Sequence, residues 1–276
     1  MRLINQSYEI CNQTDFSLLG IYKHIEKCAR VSYKSEDKIT DISATPFVNM
    51  LEEHKHDAPL EFGTIHFKIP STLFKTLCED LMFHKLWNNI WIQYKIVDNT
   101  VYFTTNYRYW HVILDKVPYI GEYLDFGDEN LDNYPKRYTV KLITNRAVSH
   151  EVVRHRTMSF IQESQRFCAY NKDKFNNEVT FIKPCWVVVP MTVEDFTFTG
   201  LLENAEYSYL QLLKKGGKPQ QARVVLPNST KTELYMCGFK DAWENFFRLR
   251  DNKIVDPQMY DLAHPMHQEF IDNKYL

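Results

Sequence analysis

The stretch Arg154-His155-Arg156-Thr157-Met158-Ser159-Phe160-Ile161-Gln162-Glu163-Ser164-Gln165-Arg166-Phe167 sets two guanidiniums and an imidazole side by side and places a third guanidinium ten residues after Arg156. Such a segment does not pack into an ordinary core and calls for a polyanionic partner. Arginine suits that task because its planar fork meets phosphate oxygens in pairs and stacks on rings. Arg154 and Arg156 diverge on a helix and share a face in an extended turn; His155 points elsewhere in either case, so one stretch can meet two ligands. Ser164 and Arg166 offer a hydroxyl and a guanidinium suited to a nucleotide phosphate, and Gln162 offers the donor and acceptor that a pyrimidine edge requires. The bland alternative is a solvated helix end, where arginine is favoured by the helix dipole.

The elements that must position this stretch are legible on either side of it. Arg137–Ile143 reads as a strand, and Asn145 caps a helix carrying Val148 and Val152 that leads into Arg154. Upstream, Asp15 or Thr14 caps a helix with Leu18, Leu19, Tyr22, Ile25 and Ala29 that ends near Tyr33. A second helix begins at Thr45-Pro46 and reaches His54. The loop Ala58–Gly63 leads into a strand over Thr64–Pro70, and Ser71 caps a helix to Phe83. Residues 85–135 read as an elaboration between core elements, with a hairpin (Gln93–Val97, a turn at Asp98-Asn99, Val101–Thr105) and a loop rich in Asp, Asn and Gly. Downstream come a short strand over Val179–Ile182, a long helix over Val193–Lys215 closed by Gly216-Gly217, and a short helix from Lys218 to Leu226-Pro227. A strand over Thr230–Cys237, a helix over Asp241–Arg250 and a terminal helix from Asp256 follow. The pattern predicts one α+β domain over 1–276, a mixed and largely antiparallel sheet flanked by helices.

Composition narrows the function. A net charge of −2 over 276 residues argues against a general nucleic-acid or membrane-surface binder, so the basicity is local. Cys11, Cys28, Cys78, Cys168, Cys185 and Cys237 are scattered, with no C-x-x-C pair, which predicts reduced thiols in a cytoplasmic protein and neither a disulfide framework nor a zinc ribbon. No apolar run has transmembrane length, and the N-terminus lacks a signal-peptide core.

Arg154-His155-Arg156, seven residues, then Ser164, with Arg166-Phe167 following, resembles the signature of the flavin-dependent thymidylate synthases, the ThyX family. Ala222-Arg223-Val224-Val225-Leu226-Pro227 is similar to its A-R-x-x-L-P segment and Asn245-Phe246-Phe247-Arg248-Leu249-Arg250 to its N-F-x-x-L-R helix end. Pro59-Leu60-Glu61-Phe62 resembles its P-[FL]-E-H segment, with Phe62 where the family has His. The resemblance covers about residues 45–80 and 135–273.

That resemblance implies an enzyme that methylates dUMP to dTMP with methylenetetrahydrofolate as one-carbon donor and NADPH as reductant through FAD. It implies that Arg154 reaches both flavin and dUMP, and that His155, Arg156, Ser159, Gln162 and Asn245 line the FAD side. Glu151, Gln162, Ser164, Arg166 and Arg223 fall on the dUMP side, and Arg250 sits by the uracil and flavin rings. Arg154 and Arg250 are then the catalytic pair, stabilising an enolate-like charge as C5 becomes nucleophilic. Phe62 occupies the folate-facing position, Glu151 stands where many members have Gln, and Phe239 where some have Asn. The family forms homotetramers with active sites between subunits.

No protein nucleophile is required by this reading. Pro184-Cys185-Trp186 superficially resembles the P-C-H nucleophile segment of the other thymidylate synthase class, but the His is missing and Cys185 reads as structural. His264 and His267 lack the carboxylate spacing of a metal site, and His54 and His56 read as a solvated helix end. The rival readings are a non-catalytic relative that keeps nucleotide or flavin binding, and an RNA-binding module built on Arg154, Arg156 and aromatic platforms.

Overall fold

The computed structural model describes residues 1–87, 90–126, 131–172, 175–187 and 193–276, the side chains of 193–196 excepted. In chain order the strands are β1 (Arg2–Ile4), β2 (Ser7–Ile10), β3 (Thr64–Pro70), β4 (Ile92–Val97), β5 (Thr100–Asn106), β6 (Leu124–Asp125), β7 (Arg137–Asn145), β8 (Ser159–Gln162), β9 (Thr180–Ile182) and β10 (Lys231–Phe239). The helices are α1 (Leu18–Ala29), α2 (Ala44–Glu53), α3 (Ser71–Phe83), α4 (Tyr107–Lys116), α5 (Arg146–Val152), α6 (Val193–Lys214), α7 (Pro219–Ala222), α8 (Lys240–Arg250) and α9 (Pro257–Asp272).

Among the described residues the strands form two four-stranded antiparallel sheets, β2-β7-β10-β8 and β4-β5-β3-β6, with a separate parallel pair, β1-β9. The sequence suggested a single mixed sheet. The second sheet arises because the β4–β5 hairpin, turning at Asp98 in the left-handed region (φ 52°), pairs along the whole of β3. Part of the Asp/Asn/Gly-rich loop, residues 127–130, lies outside the described residues.

Alternation along the strands builds the cores. Ile65, Phe67 and Ile69 of β3 point into one cluster with Ile21, Val48, Phe103 and Trp110. On β10, Leu234 and Met236 face Trp243, Phe246 and Phe247 of α8. Tyr235 and Cys237 face the other way, onto Cys11, Cys28, Val31 and Phe62.

Helix starts differ from expectation by a residue or two, for reasons of hydrogen bonding. Ser17 caps α1, its Oγ accepting from Gly20 N–H at 3.1 Å, while Asp15 accepts from Ser17 N–H at 2.9 Å. Ser71 is the first residue of α3 and not its cap. Asn145 and Asp256 do cap α5 and α9 through their side chains. Gly216, at φ 89°, closes α6 in a conformation open to glycine.

Candidate active site

Helix α5 is held at its start by Asn145, whose Oδ1 accepts from Val148 N–H at 2.8 Å and whose Nδ2 donates to Gln258 Oε1 at 2.6 Å. It ends at Val152, and Arg154 and His155 N–H donate back to Glu151 and Val152 carbonyls in a tight turn. The turn separates its side chains: Arg154 and Arg156 are exposed and His155 is buried. Among the described residues no side chain pairs with Arg154, Arg156 or the exposed Arg223. Unpaired guanidiniums at fixed backbone positions form an anion-binding surface.

His155 lies edge-on to Phe246, with ring centroids 4.9 Å apart. Arg250 donates Nε–H to His155 Nε2 at 3.0 Å and Nη1–H to Glu151 Oε2 at 2.8 Å. An arginine has no acceptor, so Nε2 carries the lone pair and the ring is neutral with its proton on Nδ1. Burial first, and then the Arg250 charge, push the His155 pKa down to about 4. Glu151 therefore pairs with an arginine, and the structure brings Glu151, His155 and Arg250 into one hydrogen-bonded cluster.

Strand β8 lies along β10, which sets Gln162 opposite Leu234. The Gln162 Nε2 donates to Ser149 Oγ at 2.9 Å and Thr232 Oγ1 at 3.0 Å, leaving the other end of the amide open. Ser164 is tied to α1's end through its N–H on the Ser32 carbonyl at 3.0 Å. The Arg166 guanidinium lies 5.2 Å over Phe167, which in turn meets Tyr33 at 5.1 Å. Asn245 accepts from Arg248 at 2.8 Å and lines a cavity of about 220 Å³ with Thr157, Phe239 and Asp241. Phe239 is itself 3% exposed, so little of its ring is open to a ligand.

Two expected ligand contacts are placed elsewhere. Phe62 is fully buried, its ring edge-on to Tyr235. Ser159 is buried and donates to Glu61 Oε2 at 2.7 Å, so its hydroxyl supports the site from below. Cys185 is exposed and not a core thiol; partial burial and the Asp261 carboxylate push its pKa up, the opposite of an activated nucleophile. His264 and His267 both bind Asp251, at 2.9 and 2.7 Å, and the described residues hold no cluster fit for a metal.

Three features went unread in the sequence. A cavity of about 690 Å³ opens beside β8, lined by Ser32, Tyr33, Phe47, Lys55, His56 and Arg108, among others. The exposed His56, just past the end of α2, is thus also at the rim of this cavity. Arg146 is half-buried, and among the described residues its guanidinium makes one bond, at 3.5 Å to Thr232; burial and then the neighbouring Arg223 depress its pKa. A cation at the first position of a helix opposes the dipole, which is a signal that sequence alone carried. The third is a buried ionic network under the motif, Glu163–Lys231–Glu233 with Lys34 and Lys141.

The site is a turn of unpaired guanidiniums on an antiparallel α+β scaffold, with a cavity of about 220 Å³ at the neighbouring Thr157. Residues 136–273, half of the chain, match the family described as thymidylate synthase complementing protein, and the chain belongs to that family. It is 29% identical over 139 residues to a flavin-dependent thymidylate synthase of Mycobacterium avium (43% of this chain, 51% of that one). To the Corynebacterium aurimucosum protein of the same name it is 29% identical over 159 residues (52% and 61%). The matched part thus spans between half and three fifths of these curated relatives. Among solved structures, the UMP/dUMP methylase PolB from Streptomyces cacaoi aligns over 99% of this chain and 92% of its own, at 18% identity and a TM-score of 0.45.

Proposed function

We propose that this chain is a flavin-dependent thymidylate synthase, converting dUMP to dTMP with methylenetetrahydrofolate and NADPH, and that residues 1–276 act as one catalytic unit. The observation that carries the reading is the turn at 154–156, where two unpartnered guanidiniums flank a neutral, buried His155 locked to Arg250. The names of the mycobacterial and corynebacterial relatives agree with it.

The donor set fits a phosphate-bearing flavin and a nucleotide. Arg154, His155, Arg156 and Asn245 would hold the FAD, of which the cavity of about 220 Å³ beside Thr157 and Asn245 would take one part. Ser164, Arg166 and Arg223 would take the dUMP phosphate, with Arg146 as a further cation next to Arg223. Bound flavin supplies the redox chemistry between NADPH and the one-carbon unit. The chain's own work is electrostatic: Arg154 and Arg250 stabilise negative charge on the uracil carbonyls, and the open end of the Gln162 amide orients the base. Arg250 reaches that task oriented, because Glu151 and His155 fix two edges of its guanidinium.

The exposed Val224, Leu249 and Ile254 beside these residues support a homotetramer with sites between subunits. No helix among the described residues is long and apolar enough to cross a membrane, and all six cysteines are free, which supports a cytoplasmic setting.

The test is the visible spectrum of the purified protein, followed by tritium release from C5-labelled dUMP with methylenetetrahydrofolate and NADPH. Flavin absorbance and release abolished by Arg154→Ala are expected. A protein that stays colourless and inactive after FAD addition sinks the reading, and steep salt-dependent binding of single-stranded RNA in its place would favour the RNA module.

A further inference from the structure

Residues 64–136 join Gly63 to Arg137 and carry no part of the 154–167 stretch, yet Arg108 among them is linked to it through the Glu61 carboxylate. Glu61 is 9% exposed, and both its oxygens are committed. Arg108, on α4 beyond the second sheet, donates Nη1–H to Oε1 at 2.7 Å; Ser159, the first residue of β8, donates Oγ–H to Oε2 at 2.7 Å. The short turn that carries Glu61 is clamped from the same side: Tyr107 N–H donates to the Gly63 carbonyl at 2.8 Å, and Arg137 Nη2–H to the Glu61 carbonyl at 2.9 Å.

Arg108 also faces open space. It lines the 690 Å³ cavity and a second of about 470 Å³, with Asp57 common to both walls. Its guanidinium lies 5.6 Å over Trp91 and 3.6 Å from Asp57, contacts that fix its plane. A buried carboxylate is oriented by the groups bonded to its two oxygens, so the direction of Oε2 toward Ser159 depends on Arg108 at Oε1. Ser159 follows Arg156 by three residues, with Met158 N–H bonded to the His155 carbonyl at 3.0 Å between them. Position is therefore passed from the second sheet to the cationic turn.

We propose that Arg108 is a positioning residue for the reaction, holding Glu61 so that Ser159 fixes the start of β8 and with it the Arg154-His155-Arg156 turn. This gives the 64–136 segment a part in the site. The assignment rests on the proposed function for its kinetic readouts, but not for its structural one.

The experiment uses the full chain with Arg108→Lys, Arg108→Gln, Glu61→Gln and the Arg108→Gln/Glu61→Gln double variant. Amide hydrogen exchange over residues 153–158, FAD affinity by flavin fluorescence, and kcat and KM for tritium release are measured on each. Arg108→Gln should speed exchange in the 153–158 turn and lower FAD affinity and kcat, each roughly tenfold to a hundredfold, with KM for dUMP within about twofold. Arg108→Lys keeps a charge on Glu61 and recovers part of the loss. The double variant recovers part as well, because a neutral amide needs no counter-charge and still accepts from Ser159. Where Arg108→Gln does not fold, the lysine variant carries the same comparison against wild type. Wild-type exchange in that turn in Arg108→Gln, or a double variant no better than the single, overturns the assignment. A wild-type protein with no flavin binding or turnover overturns the function instead, and the exchange data then still decide the relay.

Discussion

Arg250 donates its Nε–H to Nε2 of His155 at 3.0 Å, and this bond fixes the protonation state of the imidazole. A protonated ring would have a donor at both nitrogens and would face a guanidinium with no acceptor. His155 titrates at about 4 instead of the ordinary 6.5, and burial pushes His24 and His66 down to about 3. All three have folded pKa values below their unfolded ones. Their contribution to stability is complete above pH 6.5 and is lost as pH falls through that window. Urea midpoints measured from pH 7 to pH 5 should drop with a slope of about one proton taken up per histidine on unfolding, and His155→Gln should reduce the slope by about one proton.

Arg223 is exposed and has no partner within the described residues, so its truncation separates binding from folding. Arg223→Ala should change stability by no more than about 0.5 kcal/mol. It should raise KM for dUMP by roughly 10- to 100-fold, the worth of a charge-assisted phosphate contact. Arg146→Ala should shift the same constant in the same direction, since its guanidinium is close enough to Arg223 to feel its charge. A calorimetric titration with dUMP in the absence of folate reads both effects.

Short-range signals made much of this site legible. The Asn145 cap, the position of the helix end at Val152 and the run of cations after it are all local in the chain, and the structure places them close to expectation. What the sequence did not show is long-range: that Arg108 would meet Glu61, that Lys231 would meet Glu163, and that the 92–106 hairpin would complete a second sheet on β3. None of these pairs follows from periodicity, because each joins side chains tens of residues apart across different elements. Phe62 is the position where motif and packing point different ways. Its motif position suggested a ligand face, but it sits at the end of a short 3-10 turn whose exposed member is Ala58, and its ring falls into the core against Tyr235.

That placement makes a direct prediction. Phe62→Ala should cost about 3 to 5 kcal/mol, as for a large aromatic removed from a closed core. Phe62→His, which restores the residue type usual at this motif position, should also destabilise, by about 1 to 3 kcal/mol, because the imidazole would be buried without a partner. Phe62→Leu should leave KM for methylenetetrahydrofolate within about twofold while lowering the unfolding midpoint. A folate KM that rises tenfold in Phe62→Leu would show that the ring reaches the co-substrate after all.

Beneath the nucleotide side, Lys231 donates to Glu163 Oε2 at 2.9 Å and also pairs with Glu233. Glu163 is 2% exposed, and its only other side-chain partner among the described residues is the Tyr170 hydroxyl at 3.2 Å. Burial opposes charge on Glu233, but Lys231 and then Lys34 hold its carboxyl well below the usual carboxylate range. Lys231→Met therefore strips Glu163 of the cation it is bonded to among the described residues and Glu233 of its nearest. The loss should be about 3 to 5 kcal/mol at pH 7, the cost of breaking a buried pair from one side. Because Glu163 lies between Gln162 and Ser164, and its N–H is bonded to the Glu233 carbonyl at 2.8 Å, the same substitution should weaken dUMP binding. Adding Glu163→Gln should recover part of the stability, since the amide needs no counter-charge and still accepts from Tyr170. Urea unfolding of the two single variants and the double, followed by dUMP titration of whichever remain folded, separates the electrostatic term from simple loss of packing.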